Sequence, residues 1–188
     1  MLSSSRSDPN EALLVTRAVK GDREAFGDLY ERHLAAIYRY IYYRVGDVHE
    51  AEDMTEIVFL KAWEALDRYR PTQTPFAVWL YRIAHNLIVD RYRTRKGLEV
   101  LDEECPDTSI GPEDHAEHRE QAEALTEALV QLNPTQQQVL TLRFISGLSH
   151  AETAQVVGRT EGAIRIIQHR ALAALRALLA EKAGGYGD

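Results

Sequence analysis

The sequence predicts an all-α fold of two small helical domains joined by an acidic linker. Apolar residues recur at spacings of three and four, and no segment shows a convincing alternation of period two. Capping residues and glycines mark where helices begin and end. The acidic residues are also unevenly distributed, since residues 99–127 carry 11 Asp/Glu and 1 Lys/Arg. A chain of 188 residues has room for one ordinary domain or two small ones.

The predicted first domain covers residues 11–97, after a polar segment, 1–10, that we expect to be disordered. Residues that cap or break helices delimit four helices, from Asp8 and Pro9 to Gly21, from Asp22 to Gly46, from Asp47 to Leu66, and from Pro75 or Phe76 to a point before Gly97. The third helix has an apolar stripe that predicts its core side: Met54, Ile57, Val58, Ala62 and Leu66.

The fourth helix has an unusual predicted outer face, formed by Trp79, Arg82, His85, Asn86 and Arg93. Aromatic rings stack on unpaired bases, arginine neutralises phosphate, and asparagine reads a base edge. Alternatively, Trp79 is a core residue and the arginines form a solvated face. The basic run Arg91, Arg93, Arg95 and Lys96 favours polyanion binding for the face as a whole.

Residues 98–124 are predicted to be a linker, because they combine prolines, a glycine and many acids. Since the excess acid lies here, the net charge of −7 leaves both flanking domains close to neutral and able to bind a polyanion through local basic faces. The single cysteine, Cys105, cannot form an internal disulfide, as expected in a reducing compartment. A zinc site with His115 and His118 is the alternative to three solvated side chains.

The predicted second domain covers residues 125–182, followed by a loose tail, 183–188. One helix ends near Leu132, and Pro134 opens the next. The following pair is typical of a helix-turn-helix: small Ala154 lets two helices cross closely, Gly158 makes the turn, and Ile164 packs the second helix on the first. A plain helical hairpin is the alternative. Ser149 and Thr160 are the predicted caps of the two helices.

Several functional classes have no support in the sequence. No apolar run reaches about 18 residues, so we expect no membrane insertion, and with no signal peptide we expect a cytoplasmic protein. The chain contains neither a Gly-rich phosphate loop nor a catalytic constellation. We therefore expect no enzymatic activity, no cofactor and no metal.

Four segments together resemble the two conserved regions of bacterial sigma-70 family, group 4 extracytoplasmic-function (ECF) RNA polymerase sigma factors. They are GDREAFGDLYERH, AEDMTEIVFLKAWEAL, FAVWLYRIAHNLIVDRYR and LNPTQQQVLTLRFISGLSHAETAQVVGRTEGAIRIIQHRALAALR. The resemblance covers residues 11–97, as a four-helix sigma region 2, and 125–179, as the helix-turn-helix of sigma region 4. It implies an alternative sigma factor that binds core RNA polymerase, recognises −35 and −10 promoter elements and stabilises the melted strand.

The resemblance also implies roles for individual residues. Polymerase binding falls on Asp53, Glu56, Phe59, Leu60, Lys61 and Trp63, with Glu56 standing where relatives usually have glutamine. Recognition of the −10 element falls on Arg68, Arg70, Trp79, Arg82, Asn86, Asp90 and Arg93. Recognition of the −35 element falls on Thr160, Glu161, Arg165, Ile166, His169 and Arg170.

The partners implied by the resemblance are the β′ coiled coil and β flap of core polymerase, promoter DNA as duplex and as non-template single strand, and an anti-sigma factor. We hypothesise that the linker carboxylates stand in positively charged channels of the polymerase until RNA displaces them. Two other functional classes stay open at this point. A repressor or activator would bind duplex DNA alone through residues 149–179, and an RNA-binding regulator would use residues 76–96.

Overall fold

The protein is all-α, as the sequence predicts. The computed structural model describes residues 9–70, 74–98 and 125–184, and within these ranges no residue lies in a strand. The helices are α1 (Pro9–Val19), α2 (Arg23–Val45), α3 (Val48–Glu64), α4 (Phe76–Leu98), α5 (125–130), α6 (Pro134–Leu140), α7 (His150–Val157) and α8 (Glu161–Gly184). A 3₁₀ turn, Leu66–Arg68, follows α3, and a π-helical turn, Thr141–Ile145, extends α6. None of the described helices combines the length and apolarity needed to cross a membrane.

Side-chain caps fix most helix starts where the sequence places them. Asp22 accepts a hydrogen bond from the backbone N–H of Ala25 at 3.1 Å, and Asp47 accepts one from Glu50 at 2.7 Å. Such caps each contribute about 1 kcal/mol, because they satisfy a backbone donor that has no partner inside the helix. The predicted cap of α1, Asp8, lies outside the described residues, as do linker residues 99–124 and tail residues 185–188.

Helices α1 to α4 form the first lobe, which surrounds one apolar core. Its fully buried side chains include Leu29, Ile37 and Ile41 of α2, Val58 of α3 and Leu80 of α4, all at 0–1% exposure. Aromatic pairs extend this core, with the rings of Tyr40 and Tyr81 meeting edge to face at 5.3 Å. The helical faces predicted to form the core are therefore the buried ones. The exception is Ile57, whose predicted burial is wrong, as described below with the α3 surface.

Helices α5 to α8 form the second lobe, which has two small apolar clusters. One joins Leu129, Leu132 and Leu140 to Ala171 of α8. The other consists of Val139, Ala154 and Ile164. Ala154 and Ile164 are two of the three positions from which the sequence predicts a helix-turn-helix, and both are buried where α7 crosses α8.

The two lobes pack against one another. Leu142, Leu148 and Val156 of the second lobe belong to the same buried cluster as the core of the first lobe. Helix α7 contacts α4, and the π-helical turn contacts α2. This packing between lobes could not be foreseen from the separate helical patterns.

Candidate nucleic-acid and polymerase interfaces

The outer face of α8 is formed by side chains that the helix-turn-helix leaves in solvent. The exposed residues are those predicted from sequence: Thr160, Glu161, Arg165, Ile166, His169 and Arg170. Thr160 is also the cap of α8, since its Oγ1 accepts a hydrogen bond from the backbone N–H of Ala163 at 3.2 Å. A carboxylate oxygen of Glu161 accepts a hydrogen bond from Arg165, one turn further along the helix. This contact orients the guanidinium of Arg165 on the exposed face.

The orientation of α8 is fixed from its inner side. Gly158 ends α7 in the left-handed region, at φ 70°, where a side chain with a Cβ would be strained. Arg143 connects the π-helical turn to α8 and to the segment that precedes α7. Its Nε donates to Oε1 of Gln168 in α8 at 3.0 Å, and its guanidinium also donates to the carbonyl of Leu148, just before α7. The exposed face of α8 thus has rigid support.

Helix α7 begins with the predicted capping box. Oγ of Ser149 accepts a hydrogen bond from the backbone N–H of Glu152 at 3.2 Å, and the Glu152 carboxylate accepts one from the Ser149 N–H at 2.7 Å. His150, the first residue of α7, has a lowered pKa. Burial disfavours its charged form, and the guanidinium groups of Arg143 and Arg165 repel that charge. The approach to Arg165 is therefore flanked by a neutral imidazole.

A second polar face runs along α4. Arg82, Asn86, Asp90 and Arg93 are all exposed, and their spacings of four, four and three place them on one side of the helix. The side also contains the amide and guanidinium groups that suit a single strand with accessible bases. Of the predicted basic run, the side chains of Arg95 and Lys96 lie outside the described residues.

Trp79 lies at the edge of this face and is half-buried. Its ring packs on Tyr69 at 4.7 Å and on Phe76 at 5.6 Å between centroids. Burial raises the pKa of Tyr69 to about 12, and its hydroxyl donates to the Thr74 carbonyl at 2.6 Å. The reading of Trp79 as a core residue is thus partly right, since the ring packs on the core and keeps part of its surface in solvent, and its role in base stacking stays a prediction.

Arg68 and Arg70 are exposed next to this aromatic group. Arg70 donates to the carbonyl of Asp67 at 2.8 Å, so its guanidinium is held against the 3₁₀ turn. Residues 71–73 of the adjoining loop are outside the described part of the chain.

His85 is not part of the outer face, so that prediction was wrong. Its Nδ1 lies 2.6 Å from Nε2 of Gln138, which belongs to the second lobe. Burial lowers the pKa of His85 to about 4, with a further contribution from the charge of Arg44. The spacing along α4 placed His85 beside Asn86, but the second lobe covers that side of the helix.

An exposed apolar stripe lies on α3. Leu60 is 57% exposed, Ile57 39% and Trp63 36%, although large apolar side chains are normally buried. The apolar spacing of α3 predicts a core position for Ile57, and this prediction is wrong. Its helical spacing fitted either face, and only the packing of α4 against α3 decides between them.

The other α3 residues predicted to bind polymerase fall into two groups. Asp53, Glu56 and Lys61 are exposed beside the apolar stripe. Phe59 is instead buried at 4% exposure, with its ring 4.7 Å from that of Tyr30. Phe59 can therefore support the stripe from beneath, whereas Leu60 and Trp63 are accessible to a partner.

The chain resembles known proteins over most of its described length. The family model described as Sigma-70 region 2 matches residues 29–97, and the one described as Sigma-70, region 4 matches residues 128–177. The first match includes the α3 stripe and the α4 face, and the second includes the exposed face of α8.

The chain is also similar to curated proteins over most of its length. The ECF RNA polymerase sigma factor BldN of Streptomyces coelicolor is 43% identical over 174 residues, which are 90% of this chain and 66% of BldN. The chain thus spans just under two thirds of that relative. The ECF RNA polymerase sigma factor SigD of Mycobacterium tuberculosis H37Rv is 37% identical, covering 87% of this chain and 81% of SigD. The ECF RNA polymerase sigma factor SigW of Bacillus subtilis is 30% identical, covering 86% of this chain and 92% of SigW.

Solved structures agree with the fold. CnrH, in complex with the cytosolic domain of CnrY, superposes with a TM-score of 0.72 at 28% identity, covering 92% of this chain and 98% of CnrH. The sigma factor RpoE of Bartonella quintana, in complex with the anti-sigma factor NepR, superposes with a TM-score of 0.70 at 21% identity, covering 82% and 96%. At 21% identity, the similarity to RpoE bears on the fold alone.

Proposed function

The chain belongs to the sigma-70 family as an ECF RNA polymerase sigma factor, an alternative sigma factor that directs promoter-specific transcription initiation, and we propose which surfaces carry out the parts of that function. The observation that carries the assignment of these surfaces is the presence of three exposed faces on three different helices. They are the apolar stripe of α3, the polar face of α4 and the polar face of α8.

We assign duplex recognition of the −35 element to α8. Arg165, Ile166, His169 and Arg170 are the side chains that would enter the major groove, where an arginine can donate two hydrogen bonds to a guanine. Thr160 and Glu161 lie at the start of this helix, and the Glu161–Arg165 contact would hold the arginine ready for a base edge.

We assign capture of the melted −10 strand to the face of α4. Asn86 would bind the edge of an unpaired base, Trp79 would stack on one, and Arg82 and Arg93 would contact phosphate, with Asp90 between them. Arg68 and Arg70 extend the face at one end. Because unstacking a base costs a few kcal/mol, a protein that binds the extruded base offsets this cost, and no ATP is needed.

We assign core polymerase binding to the α3 stripe. Leu60 and Trp63 provide apolar area for the β′ coiled coil, and Asp53, Glu56 and Lys61 provide a polar rim, which is the usual anatomy of a protein interface. Phe59 supports the stripe from the core. The second lobe would contact the β flap.

Further parts of the proposal follow from the family. The protein works in the cytoplasm, without catalytic activity of its own and without a cofactor. Residues 11–97 and 125–182 act as its two functional domains, with 98–124 as the acidic linker. An anti-sigma factor binds and controls it, as the family resemblance implies, and CnrH, at 28% identity, was likewise solved with a bound partner, the cytosolic domain of CnrY.

The test is run-off transcription with purified core RNA polymerase on a promoter library. We expect specific transcripts, and protection of −35 and −10 sites by the holoenzyme only. A repressor or activator would footprint by itself through residues 149–179, and an RNA-binding regulator would bind single strands tightly without polymerase. Either result, in the absence of any specific transcript, would overturn the proposal.

The α3 assignment has a matched control. Leu60 is 57% exposed on α3, and Leu13 is 58% exposed on α1. We expect Leu60→Ala to weaken binding to core polymerase by about tenfold, because truncating an exposed apolar anchor costs about 1 to 2 kcal/mol at an interface. Leu13→Ala should leave core binding unchanged, and equal losses in both variants would rule out the stripe as the polymerase contact.

A further inference from the structure

The outer face of α8 carries a large apolar side chain among its charged ones. Ile166 is 55% exposed, next to Arg165 and one turn before Arg170. A single exposed aliphatic residue is common on protein surfaces. Here the packing of α8 and the neighbours of Ile166 on the helix give the exposure a specific meaning.

The packing of α8 holds Ile166 outward. Ile164 is 0% exposed in the cluster with Val139 and Ala154, and Ala171 is 0% exposed in the other cluster of the second lobe. Successive residues of an α-helix are about 100° apart, so Ile166 lies about 160° from Ile164, on the opposite side. Turning Ile166 inward would expose Ile164, and the second lobe therefore cannot bury both.

Gly162 leaves Ile166 uncovered toward the start of α8. Residues four apart are neighbours on a helix surface. A Cβ added to Gly162 would meet no heavy atom within 4 Å beyond the adjacent helix backbone, and the φ of Gly162 is not in the left-handed region. Glycine disfavours a helix relative to alanine, and no contact in the described part of the chain requires it here. Its effect is to leave open space beside Ile166.

The flanking arginines leave Ile166 accessible as well. The methylene groups of an arginine can cover a neighbouring apolar side chain. The guanidinium of Arg165 instead donates to Glu161, which lies around the helix on the far side of Arg165 from Ile166. Arg170 is exposed on the other side of Ile166. An accessible apolar surface thus lies between two cations.

This surface fits the major-groove edge of an A·T pair. The arginines suit phosphates and guanine edges nearby, and thymine presents a C5-methyl group in the major groove. Isoleucine can neither donate nor accept a hydrogen bond. Against the polar edge of a G·C pair it would displace water without replacing the lost hydrogen bonds. Ile166 would therefore favour thymine both by contact with the methyl group and by disfavouring the other pair.

We propose that Ile166 is a specificity-determining residue that reads the C5-methyl group of one thymine in the −35 element, and that Gly162 keeps the approach to it open. This assignment rests on the proposed function, in which α8 is the helix that enters the major groove. It adds the base and the chemical group that the apolar part of the α8 face would recognise.

The first test removes the methyl group from the DNA. Each thymine of the −35 element, on either strand, is replaced in turn by uracil, which pairs in the same way. Fluorescence anisotropy then measures the Kd of the holoenzyme. We expect one replacement to raise the Kd by about fourfold, which corresponds to about 0.8 kcal/mol for burial of one such carbon group. No effect at any position, or a −35 element without A·T pairs, would overturn the proposal.

The second test removes the side chain. In Ile166→Ala holoenzyme, the Kd values for thymine and uracil at that position should become equal. Val130→Ala is the matched control, because it truncates another apolar residue of the second lobe, 46% exposed on α5, and it should keep the fourfold ratio. Circular dichroism checks that both variants keep their helices. A fourfold ratio that persists in folded Ile166→Ala would assign the methyl contact elsewhere and overturn the proposal.

Gly162→Ala separates a role in DNA binding from a role in the fold. Alanine favours the helix and meets no neighbour in the free protein, so the urea midpoint of unfolding should stay the same or rise. The ratio of the uracil Kd to the thymine Kd should nevertheless fall toward one. An unchanged ratio would overturn the part of the proposal that concerns Gly162.

Failure of the proposed function can be told apart from failure of this assignment. A chain that forms no promoter-specific holoenzyme would overturn the proposed function, and the role of Ile166 with it. A holoenzyme that starts specific transcripts and binds thymine and uracil promoters equally well would overturn the role of Ile166 alone.

Discussion

The guanidinium of Arg91 lies 2.7 Å from the carboxylate of Glu50 and ties α4 to α3. Arg91 belongs to the basic run that the sequence assigns to polyanion binding. Its ion pair directs it toward a groove of about 660 Å³ between α3 and α4, whose lining includes Asp47, Asp53 and Asp90. Arg93, two residues further along, is exposed on a different side of the helix. The two arginines therefore have different expected roles.

Arg93→Ala should weaken binding of the −10 non-template strand and lower its salt dependence. Each phosphate contact on a single strand adds about 0.7 to the slope of log K against log salt, so losing one removes about that much. Arg91→Ala should leave the slope unchanged and cost at most about 1 kcal/mol of stability, since its ion pair is partly exposed. Fluorescence anisotropy of a labelled −10 oligonucleotide with holoenzyme, over a salt series, measures both slopes, and equal slopes would contradict the distinction.

Arg165→Ala should relax the preference at one position of the −35 element. A bidentate contact between arginine and guanine contributes about 1 to 3 kcal/mol of discrimination. Arg176→Ala, at an exposed position of the same helix, is the control and should leave promoter preference unchanged. Transcription from promoters substituted at each −35 position measures this, and an unchanged profile for Arg165→Ala would remove it from the recognition set.

Asn86→Ala should impair strand opening more than the first binding of duplex promoter. Asn86 is exposed on α4, where it would meet a base only after that base leaves the stack. Permanganate reactivity of unpaired thymines reports opening, and a gel shift with duplex promoter reports closed-complex formation. If the two signals fall by the same factor, the role of Asn86 lies in docking and not in base capture.

Helix boundaries were predictable from sequence because they depend on neighbouring residues. The box of Ser149 and Glu152 and the left-handed Gly46 and Gly158 involve contacts within a few positions of the chain. The helix-turn-helix was predictable for the same reason, since its spacing is local. Local rules of this kind hold whether or not the lobes touch.

The wrong predictions concern residues whose burial depends on segments far away in the chain. Ile57 shares a helical spacing with true core residues, yet it is 39% exposed. His85 was predicted to lie on an exposed face, but α6 covers it, as it also covers Arg44, about which the sequence made no prediction. Neither hydrophobic period nor charge pattern indicates which face of one lobe the other lobe will cover, because that depends on contacts about 50 to 90 residues apart in the chain.

Stability of the free protein should fall between pH 7.5 and pH 5, in part because of His85. Its pKa is about 4 in the folded protein, against 6.5 ordinarily, mainly because burial disfavours the charged ring and secondly because Arg44 repels it. A depressed histidine pKa means that the unfolded chain binds the proton first. The contribution is therefore fully present above about pH 6.5 and is lost as the pH falls toward about 4.

At pH 5 the loss attributable to His85 should be about 1 to 2 kcal/mol, allowing for its partial exposure. His85→Asn keeps a polar side chain near Gln138 but cannot titrate, so its free energy of unfolding should decline less over the same interval. Urea unfolding of both proteins at pH 7.5 and pH 5 measures the difference, in which the effects of the titratable groups that the two proteins share cancel. Parallel pH profiles for the two proteins would show that His85 remains in water, and the contact with Gln138 would then not exist in the free protein.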